Sequence, residues 1–153
     1  ARDFGGGRMS DEFMFAAFEK GTNAFAAMEG LTKGLEISLP KGHTFTDHAG
    51  VERKQVRTKW WYEDPKCYRD VSIVPERQEH SVPAHDLPAE FVRTDGSGAP
   101  VFVGHYWFKG KPVLQTANVA CLDWSAAGDG PVVGYRWNGE SELSNANFVT
   151  SYD

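Results

Sequence analysis

The spacing of the apolar residues changes once along the chain, at Leu35, and this change decides the fold class. Before Leu35 the apolar residues recur at intervals of three, four and seven, the pattern of one buried face of an α-helix. Ser10 is a suitable N-cap, and the helix is expected to end near Leu31. From Leu35 onward apolar residues alternate, as in β-strands. The sequence therefore predicts an α+β fold, with an N-terminal helix and a mixed β-sheet. The residues expected on the buried helix face are Met14, Phe18, Gly21, Phe25, Met28 and Leu35.

The predicted strands are bounded by turn-forming residues. Asp47 to Gly50 predicts a tight turn, and Ala127 to Gly130 predicts a hairpin. Residues 63–100 are rich in proline and read mainly as loop, with a short strand at about 71–74. The sheet is expected to contain the segments 35–39, 51–61, 101–104, 118–124 and 131–137.

Composition divides the chain into three parts but suits one compact domain of 153 residues. Residues 1–9 include three consecutive glycines and are expected to be a flexible lead-in. Residues 10–95 hold the helix, strands and a loop-rich insertion. Residues 96–153 hold the C-terminal strands and a Gly-His pair.

Charge, hydropathy and cysteine content exclude some classes of partner. The net charge of −5 argues against binding a nucleic-acid duplex, though small phosphorylated ligands remain compatible with it. The longest apolar run, Phe13 to Phe18, has six residues, whereas a membrane-spanning helix needs about 20. No secretory signal is visible, and the two cysteines, Cys67 and Cys121, are expected to be reduced thiols. These features predict a cytoplasmic protein.

His105 is the first candidate for chemistry, because it follows the apolar run Val101 to Val103 and a glycine. An imidazole at the tip of a strand can enter a cleft as a metal ligand or an acid–base group. A histidine that only forms structural hydrogen bonds would fit the same pattern.

Arg53, Arg57 and Trp60 are candidates for substrate binding. Arg53 and Arg57 are four residues apart in a predicted strand, so both are expected on one face, where two guanidinium groups and an indole suit a phosphate and a base. The alternative is a solvated sheet face on which the arginines pair with acids or lie over aromatic rings.

Two stretches rich in histidine and aspartate invite a metal hypothesis, but neither has the spacing of a specific zinc motif. Both read as loops, in which polar residues are ordinary. The residues are His43, Asp47 and His48 in the first stretch, and His80, His85 and Asp86 in the second.

Three blocks in the last third of the chain resemble the C-terminal part of bacterial calcineurin-like metallophosphoesterases, relatives of the serine/threonine protein phosphatases and the symmetric diadenosine tetraphosphatases. The resemblance covers about residues 33–148, and the family has a four-layer fold. It implies that His105 is a ligand of one of two bridged divalent metal ions, usually manganese, iron or zinc, and that a metal-bound hydroxide hydrolyses a phosphate ester. The blocks are Val101 to Phe108, Asn118 to Ser125 and Val133 to Glu140, with upstream support from Leu39-Pro40, Phe45, Asp47, Gly50, Arg53, Arg57, Trp60-Trp61 and Tyr68 to Asp70.

The family's metal centre is built mainly by three N-terminal blocks, Gly-Asp-x-His-Gly, Gly-Asp-x-x-Asp-Arg-Gly and Gly-Asn-His-Glu, and none of them occurs in this sequence. A further histidine of the family is not identifiable either, since His48-Ala49 matches it only superficially. The resemblance therefore predicts a C-terminal portion of a hydrolase that is inactive alone and binds no metal tightly by itself. Its substrate would be a phosphorylated small molecule or a phosphoprotein, and exposed apolar surface predicts self-association, as in a homodimer. The alternative is a free-standing, non-catalytic domain that binds a ligand or partner through aromatic residues around Trp60, Trp61, Tyr106 and Trp107.

Overall fold

A computed structural model describes residues 9–89, 91 and 98–152 of the chain. Its mixture of short helices and strands confirms the α+β class. Residues 1–8 of the expected lead-in lie outside the described residues. The helices are α1 (Asp11–Ala17), α2 (Asn23–Lys33) and α3 (Tyr68–Val71), with short 3₁₀ turns at Glu76–Ser81 and Asn145–Asn147.

The single N-terminal helix predicted from the sequence is wrong, because two helices occupy this segment. Thr22 begins the second helix as its N-cap, and its hydroxyl accepts a hydrogen bond of 3.1 Å from the Phe25 N–H. This restart changes which side chains face inward. Phe18, expected on the buried face, is 80% exposed. The side chains that pack between α1 and α2 are Phe13, Ala17 and Ala24, with Ala16 and Met28 beside them.

The predicted single mixed sheet is also wrong, because the described strands form four separate small sheets. Strands β1, β4 and β5 form an antiparallel sheet, β2 pairs with β3, β6 lies parallel to β7, and β8 pairs with β9. All the strands are short, since glycine and proline interrupt the apolar runs. Their bounds are β1 (Glu36–Ser38), β2 (Phe45–Thr46), β3 (Glu52–Arg53), β4 (Gln55–Thr58), β5 (Ser72–Ile73), β6 (Val101–Val103), β7 (Val119–Cys121), β8 (Val133–Tyr135) and β9 (Phe148–Thr150).

The sheet of β1, β4 and β5 lies between two apolar clusters. Val56 of β4 is fully buried in one of them. The second contains Trp61, Tyr106 and residues of β7, and Ile73 of β5 packs against it. Because β4 contributes to the first cluster and its partner β5 contacts the second, this sheet connects the N-terminal half of the chain to the segment that carries His105. The first cluster consists of Leu39, Phe45, Val56, Tyr68 and Val82.

The turns were predicted with mixed success. Asp47 to Gly50 does form the tight turn between β2 and β3. Ala127 to Gly130 does not form a hairpin, because β7 pairs with β6 and β8 pairs with β9. Gly130 instead passes so close to the Trp124 carbonyl that a Cβ atom would overlap it.

Within the described residues, no helix is both long enough and apolar enough to cross a membrane.

Candidate functional site

His105 lies just beyond the C-terminal end of β6, as its sequence position predicted. Its side chain is exposed, and its backbone is left-handed, with φ of 69°. Trp107, two residues later, is also left-handed, with φ of 55°, and its side chain is 57% exposed. Non-glycine residues in this region cost of order 1–3 kcal/mol each, and such residues cluster at functional sites. The Gly104–Lys109 segment, called here the His105 loop, is therefore the strongest candidate site.

Asp123 stabilises the C-terminal part of the His105 loop. Its carboxylate accepts hydrogen bonds from the backbone N–H groups of Trp107 (3.3 Å) and Ser125 (3.1 Å), and its backbone carbonyl accepts one from Phe108 (3.1 Å). The Ser125 hydroxyl donates to the Phe108 carbonyl at 3.0 Å. These bonds hold the loop against the segment that follows β7.

Arg57, which lies in β4, stabilises the N-terminal part of the His105 loop. Its Nη1 donates a hydrogen bond of 2.6 Å to the His105 carbonyl, and its Nη2 lies 3.4 Å from the Glu36 carboxylate. The guanidinium also lies 5.9 Å from the centre of the Tyr106 ring, within the range of a cation–π contact. The role of Glu36 could not be predicted from the sequence, because a single acid in a short exposed strand gives no signal.

Trp60 contacts the same loop, since its indole N–H donates to the Tyr106 hydroxyl at 3.0 Å. Arg57 and Trp60 therefore hold the loop that carries His105. Their role in binding substrate stays a prediction. Tyr106 itself is buried, and this burial raises the pKa of its hydroxyl.

Arg53 is separated from Arg57 by a break between strands, because Arg53 ends β3 and Arg57 lies in β4. The Arg53 Nε donates to the Asp47 carboxylate at 2.7 Å. The pKa of Asp47 is lowered, chiefly by a hydrogen bond from the Val51 N–H and then by the one from Arg53. Asp47 thus stabilises its own turn.

Arg53, Arg57 and His105 line one open depression of about 1420 Å³. Its volume exceeds the ~300–1,000 Å³ of ordinary small-molecule pockets. Eight Lys and Arg side chains and six Asp and Glu side chains line it, a small positive excess on a chain whose net charge is −5, and Lys33, Arg53 and Arg57 form ion pairs with acids of the same lining. This charge favours an anionic ligand. The cationic residues are Lys33, Arg53, Lys54, Arg57, Lys59, Arg69, Arg77 and Lys109.

One residue of each histidine-rich stretch contacts the other. The rings of His43 and His85 lie edge to face, with their centres 5.3 Å apart. Across the described part of the chain, no three His, Cys, Asp or Glu side chains are placed to hold a metal ion. His105 lies beyond the tip of β6, and Asp47 and His48 of the first stretch line the same depression as His105.

Both cysteines are free thiols, as predicted. Cys121 is fully buried in β7, and burial raises the pKa of its thiol to about 11. Cys67 is partly exposed before α3.

The aromatic surface proposed for a binding domain is smaller than expected. Trp61 and Tyr106 are buried in the cluster behind the His105 loop, which leaves Trp107 as its well-exposed member.

Comparison with known proteins found no matching family model, no matching curated protein and no matching solved structure.

Proposed function

We propose that this chain is the C-terminal portion of a metal-dependent phosphoesterase, in which His105 supplies one ligand to a site completed by residues outside this sequence. The position of His105 carries the proposal. His105 follows a parallel strand. Contacts on two sides of its loop hold its backbone in a left-handed conformation, and its imidazole is exposed. A histidine that served only to stabilise the fold would gain little from this strained and exposed placement.

The surroundings of His105 suit an anionic phosphate ester. The depression beside it has a small excess of positive charge, and Lys109 of the loop and Arg57 of β4 both line it. Such a surface raises the local concentration of an anion and favours its approach. The complete protein would bind manganese, iron or zinc, and its substrate would be a phosphorylated small molecule or a phosphoprotein. The two free thiols support a cytoplasmic location, where thiols stay reduced.

The test uses the product of the complete open reading frame that encodes this chain. After reconstitution with manganese, we expect this product to bind metal and to hydrolyse p-nitrophenyl phosphate, and we expect neither of the 153-residue chain alone. Replacement His105→Ala should lower kcat by roughly a hundredfold or more, because metal ions contribute several kcal/mol to such reactions.

His80→Ala is the matched control, since His80 is also exposed but is not among the residues that line the depression. This variant should leave metal content and kcat within about twofold of the values for the unsubstituted product, because the replaced histidine is not proposed as a metal ligand. A complete product without bound metal, or one in which both variants behave alike, would contradict the proposal.

The second candidate is a non-catalytic domain that binds an anionic ligand. The positive depression and the exposed indole of Trp107 favour it. It predicts that the 153-residue chain alone binds an anion such as pyrophosphate, and that the complete product hydrolyses no phosphate ester.

A further inference from the structure

His43 and His85 come from different stretches of the sequence, yet their side chains are in contact. The ring centres lie 5.3 Å apart, and the ring planes are nearly perpendicular, at 83°. His43 is half-buried and His85 is exposed. A contact between two polar rings at the surface buries little apolar area, so packing alone does not account for it.

The backbones of both histidines are fixed by the same part of the core. The His43 N–H donates a hydrogen bond of 3.0 Å to the Pro40 carbonyl, and the His85 carbonyl accepts one of 3.0 Å from the Tyr68 N–H. The two imidazoles are therefore held near each other by the fold itself, and a ligand bound between them would order little additional chain. The residues that flank the histidines and belong to the first apolar cluster or pack against it are Leu39, Phe45, Val82 and Leu87.

The separation of the two rings suits coordination of a single ion. Histidine nitrogen binds zinc at about 2.0–2.1 Å, so two imidazoles at a near-tetrahedral angle on one ion have ring centres roughly 5–5.5 Å apart. The observed separation of 5.3 Å lies in this range. Rotation of an imidazole about χ2 is soft, so one nitrogen of each ring can turn toward a common point.

The chemistry of the two side chains selects the kind of ion. Imidazole nitrogen suits zinc, copper and nickel, whereas manganese, magnesium and calcium favour oxygen ligands. Within the described part of the chain, no third His, Cys, Asp or Glu side chain completes a metal-binding group. Water would occupy the other coordination positions, as it does at open metal sites, so the ion would exchange readily.

We propose that His43 and His85 together bind one zinc, copper or nickel ion. The ion would link the segment before β2 to the segment after the 3₁₀ turn Glu76–Ser81. This site goes beyond the proposed function, because both of its ligands belong to the described residues and neither lines the depression beside His105.

Isothermal titration of the folded 153-residue chain with nickel chloride tests the proposal. We expect one ion per chain, and an affinity at least about tenfold lower in His85→Ala, because one of two ligands is lost. His80→Ala is the control, since His80 is equally exposed and lies outside the pair, and it should change the affinity by no more than about twofold.

A double variant distinguishes one shared ion from two separate ones. If both imidazoles hold the same ion, removing the second after the first should weaken binding by no more than about twofold further, because the shared site is already lost. Losses that add up from His43→Ala and His85→Ala would overturn the proposal. His85→Ala removes an exposed side chain, so the single variant decides the test even where the half-buried His43 cannot be replaced without unfolding.

The remaining outcomes are equally distinct. The proposal would be overturned by an absence of nickel binding at about 1 mM, the limit of weak but specific affinity. Binding that survives His85→Ala but is lost in Cys67→Ser or His105→Ala would place the ion elsewhere and overturn it as well. None of these results bears on the proposed function, which is tested by manganese content and hydrolysis in the complete product.

Discussion

The indole N–H of Trp60 donates a hydrogen bond of 3.0 Å to the hydroxyl of Tyr106, which lies 46 residues further along the chain. Trp61, next to Trp60, packs edge to face on the same ring, with the ring centres 5.0 Å apart. Tyr106 is the residue between the two left-handed positions, His105 and Trp107. Anchoring this one ring therefore fixes the conformation of the whole His105 loop.

Gly34 provides the space that Tyr106 needs, which gives a prediction. A Cβ atom at Gly34 would lie 2.5 Å from the Tyr106 hydroxyl, and the backbone there has φ of +90°. Gly42 has almost the same φ, +89°, but a Cβ atom would meet nothing within 4 Å. Gly42→Ala should lower the free energy of unfolding by ~1 kcal/mol through backbone strain. Gly34→Ala should lower it by about 2 kcal/mol more, through overlap with the ring and because φ of 90° with ψ of 161° is a conformation essentially restricted to glycine. Urea denaturation measures the difference, and equal effects would show that the ring is not confined there.

Arg57 should contribute more to stability than Arg53, although both form one ion pair. The Arg57 side chain is 24% exposed and also bonds to a backbone carbonyl, whereas that of Arg53 is 53% exposed. We expect Arg57→Met to lower the free energy of unfolding by about 1.5–3 kcal/mol, and Arg53→Met by less than about 1 kcal/mol. Chemical denaturation of both variants checks this order. A smaller loss for Arg57→Met than for Arg53→Met would mean that the bond to His105 is not formed in solution.

The sequence predicts the fold class and most strand positions, because alternation of apolar residues is a local property. It places β6 and the histidine after it correctly, and it singles out Arg53, Arg57 and His105, which line one depression, whereas Trp60 is not among the lining residues. It does not predict which strands pair, since pairing depends on contacts distant in sequence. The parallel arrangement of β6 and β7 is one example, and the restart of the helix at Thr22 is another, where one capping bond outweighs an unbroken apolar pattern.

The contacts of Arg57 show that the site, like the strand pairing, depends on residues distant in sequence and is not predicted by local patterns. Four-residue spacing predicts Arg53 and Arg57 on one face of a strand, but the break after Arg53 gives each arginine a different partner. The partner of Arg57 is the carbonyl of a residue 48 positions away, which no local pattern encodes.

The two thiols should differ in reactivity in the folded protein. Burial raises the pKa of Cys121 to about 11, so at pH 8 its reactive thiolate is almost absent, and the side chain is inaccessible as well. Cys67 is partly exposed. We expect a disulfide reagent such as DTNB to label Cys67 in native buffer and Cys121 only in denaturant, with Cys67→Ser as the control. Labelling of Cys121 in that variant under native conditions would place its thiol outside the core.

Substitutions at His105 should show that its backbone conformation opposes stability. A left-handed residue with a Cβ costs roughly 1–2 kcal/mol, and glycine avoids that cost but loses roughly 0.5–1 kcal/mol through the entropy of the unfolded chain. His105→Gly should therefore be neutral or slightly stabilising. His105→Val should be destabilising by ~2 kcal/mol or more relative to His105→Gly, because β-branched residues tolerate this region least. Thermal and urea denaturation of the three proteins tests this order. Equal stability of the Gly and Val variants would show that the loop relaxes to an ordinary conformation, and the argument that His105 is held for a functional reason would then lose its basis.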